Sequence, residues 1–177
     1  MIQSGSNQLK VLLEREEIVK AVSRIAAEIR RDYQGKRLLL IGVLKGSFIF
    51  MADLIRQLDM DIEVVFVQLA SYYSATESSG KVTLVKDIQT TISGKDVLII
   101  EDIVDTGITT TFLLEYLKKK QPASLKLCAL VDKPSQHQAA VTIDYLGFSL
   151  PNKFIVGYGM DFNEQFRGLP CIYCLEK

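Results

Sequence analysis

The sequence predicts a single α/β domain built on a mainly parallel, twisted sheet flanked by helices. Three observations carry that reading. Aliphatic runs of strand length recur along the chain, segments with helical spacing fall between them, and 177 residues suffice for one substantial core but not for two ordinary domains. The runs are continuously apolar rather than alternating, as expected of strands buried on both faces.

Glu14 to Arg31 puts Ile18, Val19, Val22, Ile25, Ala26 and Ile29 on one face at helical periodicity, an amphipathic helix that Gly35 closes. Arg37 to Leu44 (RLLLIGVL) is a buried strand, and helical spacing resumes directly after it in KGSFIFMADLIRQL. Ile62 to Ala70 is the next strand, Ser71 to Gly80 (SYYSATESSG) a polar loop able to act as a mobile flap, and KVTLVKD a short alternating strand. KDVLIIEDI, Lys95 to Ile103, is again a buried strand, and the helix after it runs from Thr109 to Lys120 with lysines in its last turn. Leu125 to Asp132 follows as a strand, and the segment from Ile143 to Phe162 holds at least one more, at Phe154 to Gly157. No internal repeat, low-complexity stretch or Pro/Gly linker divides the chain.

Composition narrows the partners. Lysine plus arginine equal aspartate plus glutamate at 21 each, so no basic field gathers nucleic acid, and a small molecule is the expected partner. Met1 to Lys10 is polar, Val11-Leu12-Leu13 is too short for a signal core, and Leu38 to Leu44 is too short for a membrane span, so a cytoplasmic protein without membrane contact is expected. Three cysteines fit a reducing compartment. Cys171 and Cys174 form a CxxC, but CIYC reads as a C-terminal strand, where residues three apart face opposite ways and cannot share an ion. His137, in the polar stretch KPSQHQ, reads as a loop residue without catalytic partners.

The chemistry concentrates in VLIIEDIVDTGITTTF, Val97 to Phe112. Asp105, Thr106, Gly107, Ile108, Thr109 and Thr110 lie between a strand and a helix, where backbone N–H groups, hydroxyls and the helix N-terminus form a cradle for one phosphate. A helix cap is the plainer role for Asp105 or Thr106. It leaves Glu101 and Asp102 unexplained, whereas paired carboxylates accept hydrogen bonds from vicinal sugar hydroxyls and, with water, hold magnesium. A phosphate cradle beside a ribose clamp describes a ribose 5-phosphate site. Neither GxxxxGK[ST] nor GxGxxG occurs.

This stretch resembles the signature of the type I phosphoribosyltransferases, and the surrounding chain is similar to the hypoxanthine-guanine branch of that family. LIGVLKGSFIFMADL resembles the branch's pyrophosphate-binding loop, SYYSATESSGKV its flexible loop, and LVDKP and KFIVGYGMDFNEQFRGLP its purine-recognition and C-terminal elements, in family order from Leu38 to Pro170. The resemblance implies one phosphoribosyltransferase domain over residues 1–177, with a flexible loop at about 71–80 and a small hood made from N- and C-terminal segments, the latter about 145–177. It implies transfer of the 5-phosphoribosyl group from phosphoribosyl pyrophosphate to N9 of hypoxanthine or guanine, with Mg2+, giving IMP or GMP.

Site roles follow from the same resemblance. Leu44, Lys45 and Gly46, with a Leu44–Lys45 peptide that can be cis, would meet pyrophosphate together with Ser71, Tyr72 and Arg167. Ser47 stands where a second glycine is frequent, a departure that a helix N-cap tolerates. Lys133 would donate to the purine 6-oxo group, Phe154 would stack on the ring, the Ile155 backbone would approach the 2-position, and Asp161, counted with these purine residues, would bind magnesium on the pyrophosphate side. Glu101 and Asp102 would hold ribose hydroxyls and organise metal, and Asp105 would take or stabilise the proton leaving the purine imidazole at N7. A lysine donates and never accepts, which favours a 6-oxo over a 6-amino purine. Homodimers or homotetramers are the assemblies the resemblance implies. The alternatives are a nucleic-acid-binding regulator of the same fold that senses phosphoribosyl pyrophosphate, and a transferase preferring xanthine or a pyrimidine; neutral net charge with Lys133, Phe154 and Asp161 together weighs against the regulator.

Overall fold

Strand-length aliphatic runs become the inside of a six-stranded sheet in the computed structural model, which describes residues 3–4, 7–72 and 81–176. The elements are β1 (Gln3–Ser4), β2 (Asn7–Leu13), α1 (Arg15–Asp32), β3 (Leu38–Leu44), α2 (Phe48–Leu58), β4 (Ile62–Tyr72), β5 (Lys81–Lys86), β6 (Asp96–Val104), α3 (Ile108–Lys118) and β7 (Ser124–Asp132). A short 3-10 turn at Pro134–Gln136 precedes β8 (Tyr145–Ser149), β9 (Ile155–Val156) and β10 (Ile172–Glu176). The main sheet has the order β5-β4-β3-β6-β7-β8, parallel throughout except for β5, which pairs antiparallel with β4.

Strand alternation sorts the core into two layers. Leu38, Leu40, Leu98, Ile100, Cys128 and Leu130 point to one face and pack with Ile18, Val22, Ile25 and Ile29 of α1 and Phe50, Met51, Leu54 and Leu58 of α2. Leu39, Ile41, Val97, Ile99, Leu127 and Ala129 point to the other and pack with Leu113 and Leu117 of α3. Each such aliphatic side chain contributes roughly 2 kcal/mol on leaving water. That burial, more than helix propensity, holds α1 to α3 in place; α1 adds a first-turn bond from the Glu14 N–H to Glu17 Oε2 at 2.8 Å.

The chain runs outward from β3 to β4 and β5, then returns to β6 beside β3. The connections on either side of that pair therefore diverge, and a crevice opens at the carboxyl ends of β3 and β6. Above it lies a second, antiparallel sheet in the order β1-β2-β10-β9, which joins the two chain ends. The hood implied by the resemblance is thus present. Its N-terminal segment was expected, but not as the strand β2, because β2 is half exposed and its partner β10 lies at the far end of the chain, so no local hairpin signal announces it.

Smaller departures have local causes. Ser71 and Tyr72 extend β4, paired with Val82 and Lys81, rather than opening the loop; residues 73–80 of the expected flap lie outside the described residues. Tyr145–Ser149 adds a parallel strand on β7. Ser47 stands at the N-cap of α2, but its buried hydroxyl donates to the Val43 carbonyl at 2.6 Å instead of capping. Cys128, Cys171 and Cys174 are all buried and free, with Cys171 lying just before β10. His137 has a partner after all: its Nε2 is 2.7 Å from Oδ1 of buried Asp132. Among the described residues no helix is long and apolar enough to cross a membrane.

Candidate active site

The strand alternation that builds the core also separates Glu101 from Asp102. Glu101 continues the α3 side of β6 and lines a cavity of about 250 Å³ with Leu44, Thr106, Gly107, Thr109 and Thr110. Asp102 continues the α2 and hood side and lines a cavity of about 280 Å³ with Lys45, Gly46, Lys133, Phe154, Ile155, Met160, Asp161 and Arg167. Ile103 and Asp105 line both. A larger cavity, about 480 Å³ between α1 and α2, contains none of the expected site residues.

The first cavity is built by the β6–α3 turn. Gly107 stands at the N-cap position of α3 at φ +78, a left-handed conformation natural to glycine, and a Cβ there would meet Val141 Cγ2 at 2.8 Å and the Ala139 carbonyl at 3.0 Å. Having no side chain, Gly107 leaves the opening of α3 uncapped; Thr106 Oγ1 accepts a long bond, 3.4 Å, from the Ile108 N–H. The loop after β7 braces this turn from behind, since the N–H groups of Gln138 and Ala139 donate to the Thr106 carbonyl at 2.8 and 3.3 Å.

In the second cavity Lys133 is buried, 5% exposed, with Nζ 3.6 Å from Asp105 Oδ2, while its N–H bonds the Val104 carbonyl at 3.0 Å. Phe154 is exposed and meets Phe162 edge to face at 5.5 Å, leaving a ring face at the cavity mouth. The Leu44–Lys45 peptide is cis. Beyond it Gly46 presses against Asp102, and a Cβ at Gly46 would fall 1.9 Å from Asp102 Oδ2. Gly159, at φ +102, backs the same contact; a Cβ there would fall 2.0 Å from the Gly46 carbonyl. Glycine is required at both positions for carboxylate, loop and hood to stack this closely.

Charge in the site is unevenly compensated. Burial pushes the Asp102 carboxyl up to about 6, against the opposing pull of its own and the Ile103 backbone amides and of Arg167, with Asp161 adding to the rise. Burial, then the Asp102 charge, raises Glu101 well above the usual carboxylate range. Arg167 donates to the Gly159 carbonyl at 2.8 Å and pairs with Asp161 at 2.8 Å and Glu164 at 3.1 Å, while its buried Nε has no partner among the described residues. Lys45 pairs with the same Glu164 at 2.9 Å.

The expected phosphate, base and pyrophosphate residues thus converge on one crevice, apart from Ile108, which lines neither cavity, and the side chains of Ser71 and Tyr72, which lie outside the described residues. No cluster of three or more carboxylate, histidine or cysteine ligands forms among the described residues, and Glu101 does not join Asp102 and Asp161. The sequence reading passed over Glu164; an acid midway between Asp161 and Arg167 in DFNEQFR was the available signal.

Residues 8–163 match the phosphoribosyl transferase domain. The chain belongs to that family. Among its relatives, a hypoxanthine-guanine phosphoribosyltransferase of Bacillus subtilis is 45% identical over 94% of this chain and 93% of its own length. One of Staphylococcus aureus is 43% identical over 96% of both chains. A crystal structure of a Bacillus anthracis hypoxanthine-guanine phosphoribosyltransferase, with HEPES in the active site, superposes with a TM-score of 0.91 at 42% identity, covering 96% of this chain and all, 100%, of that one. The six-stranded sheet, its flanking helices and the small second sheet are therefore the phosphoribosyltransferase fold, and the chain is a pentosyltransferase.

Proposed function

We infer that this phosphoribosyltransferase moves the 5-phosphoribosyl group from phosphoribosyl pyrophosphate to N9 of hypoxanthine or guanine, yielding IMP or GMP and pyrophosphate in cytoplasmic purine salvage. The observation that carries this is the pair of cavities meeting at Asp105, one lined by the β6–α3 turn and the other by a buried lysine and an exposed ring. The names of the relatives point to the same reaction.

Roles divide along β6. Thr106, Gly107, Ile108, Thr109 and Thr110 receive the 5′-phosphate at the start of α3. Glu101 accepts from the ribose hydroxyls on that side. Across the strand, Lys133 donates to the 6-oxo group, Phe154 covers the ring and the Ile155 backbone meets the 2-position. Lys45, Gly46 and Arg167, with Ser71 and Tyr72, surround the pyrophosphate, and Leu44 meets it from the Glu101 side, where it lines the first cavity.

Magnesium fits this side. Asp102 and Asp161 repel one another in one cavity, as the upward push of Asp161 on Asp102 records, and a cation between them would relieve that repulsion. When bound there it would spread the charge of the departing pyrophosphate. Glu101, on the far side of β6, is left to the sugar, in place of the three-carboxylate set the motif suggested. As the bond from C1′ to pyrophosphate loosens, positive charge develops on the sugar, N9 attacks C1′, and Asp105 accepts or stabilises the proton released at N7.

The test is one parallel assay of phosphoribosyl pyrophosphate and magnesium with hypoxanthine, guanine, xanthine and adenine. Turnover of the first two above the others supports the assignment, and adenine turning over best overturns it. For assembly, a homodimer or homotetramer is proposed, to be read by sedimentation.

A further inference from the structure

The proposed transfer makes no use of Glu164, yet its carboxylate sits at the centre of the charge network. One oxygen accepts from Lys45 Nζ at 2.9 Å and the other from Arg167 at 3.1 Å. Resting on the reading that the Lys45 loop and Arg167 receive pyrophosphate, we propose that Glu164 is a built-in substitute anion. It occupies both cations while the site is empty, is displaced by the donor's pyrophosphate group, and returns as pyrophosphate departs.

The geometry separates what must move from what must stay. Arg167 remains anchored when Glu164 leaves, because it also holds the Gly159 carbonyl at 2.8 Å and Asp161 at 2.8 Å. Glu164 has nothing to hold it but charge: its side chain is 64% exposed, so leaving disturbs no packing. Exposed ion pairs of this kind are weak, and an anion of several charges with more acceptor oxygens outcompetes a single carboxylate for the same donors. The turn beneath is shaped to present the carboxylate. Asn163, Glu164 and Phe166 all take left-handed backbone, at φ 51, 62 and 74, and Asp161 Oδ2 accepts from the Glu164 N–H at 2.8 Å. Left-handed backbone at three non-glycine residues in one turn is a local cost of the sort seen at ligand clamps.

Two consequences follow. In the resting enzyme the cations are held in place rather than free to wander, and every pyrophosphate that binds must first break two ion pairs. Glu164 therefore weakens pyrophosphate binding and hastens its release, whereas a residue that merely held the turn together would strengthen binding.

Calorimetric titration of magnesium pyrophosphate into the full-length wild type, Glu164→Gln and Glu164→Asn decides between these. Asparagine is included because it tolerates left-handed backbone, and both variants are checked first for cooperative thermal unfolding. Removing the charge is expected to tighten binding roughly three- to tenfold and to lower the KM for pyrophosphate in the reverse reaction by a similar factor. Unchanged or weaker binding in the folded variants overturns the proposal. Arg167→Gln runs alongside: if it binds magnesium pyrophosphate as tightly as wild type, the pyrophosphate reading itself fails, and if it binds more weakly while the Glu164 variants do not tighten, only the substitute anion fails.

Discussion

The Lys133 ammonium lies 3.6 Å from the Asp105 carboxylate, the lysine buried and the aspartate half exposed at the mouth of the crevice. The two come from neighbouring strand ends, β6 and β7, and their pairing places a donor and an acceptor side by side, the spacing that the adjacent O6 and N7 on one edge of a 6-oxopurine call for. Asp105→Asn keeps the shape and removes the proton acceptor. Turnover is expected to fall by roughly a hundredfold or more, with the Kd for phosphoribosyl pyrophosphate nearly unchanged. Steady-state kinetics with a direct binding titration checks it, and unchanged turnover would sink the assignment.

Lys133→Met replaces the donor with an apolar chain of similar length. Hypoxanthine and guanine should both lose about a hundredfold in kcat/KM, because the 6-oxo group then lies against no donor, while use of adenine, expected to be poor in the wild type, should change little. Competition between hypoxanthine and adenine measures the collapse in discrimination. Equal losses for both bases would place Lys133 in support of Asp105 rather than in base selection.

Gly46→Ala inserts a methyl where Asp102 already sits. With Oδ2 at 1.9 Å from an ideal Cβ, either the carboxylate or the loop must shift. The expected result is a rise in the KM for phosphoribosyl pyrophosphate with a lowered Tm, since the contact serves both site and fold. An alanine variant with wild-type kinetics would show that the loop moves freely.

The two carboxylates of β6 make stability depend on pH in an unusual direction. Asp102 and Glu101 are raised above the values they would have unfolded, so the folded chain binds more protons; their contribution is complete below the ordinary carboxylate range and is lost as pH rises through about 6 for Asp102 and higher for Glu101. For Asp102 the loss is at most about 3 kcal/mol. Asp32, lowered first by its bond from Tyr145, and Glu63, lowered first by Lys95, act oppositely: they stabilise above the ordinary range and lose that contribution as pH falls through their folded pKa. Tm should therefore rise from pH 8 to about pH 5 and fall on stronger acidification. Magnesium should raise Tm more at pH 8 than at pH 5.5, where protons compete for Asp102. Differential scanning calorimetry with and without magnesium tests both.

What could be read in advance follows the range over which each signal acts. Buried parallel strands and amphipathic helices announce themselves through residues a few positions apart, so β3, β6, β7, α1 and α3 were legible to within a residue or two at most ends. β2 was not, because what makes it a strand is β10. In the site, Asp105, Lys133 and Arg167 stand out as charges at strand ends or in a motif. The division of Glu101 from Asp102 was implicit in strand alternation, the rule applied to Cys171 and Cys174, but adjacent acids in a motif invite being read as one unit. Glu164 and the His137–Asp132 pair needed the fold, because their partners are set by loop geometry.

β6 works as a party wall: the rooms on its two sides share only Ile103 and Asp105 among the residues that line them. In the proposed assignment, sugar-phosphate recognition belongs to one room and acceptor choice to the other, whose roof is the hood. A chain of this design could alter the roof over the base, and so the base it takes, while keeping its ribose donor, which makes the short segment from Lys153 to Val156, ahead of Asp161 and Arg167, the place to graft when a new acceptor is wanted.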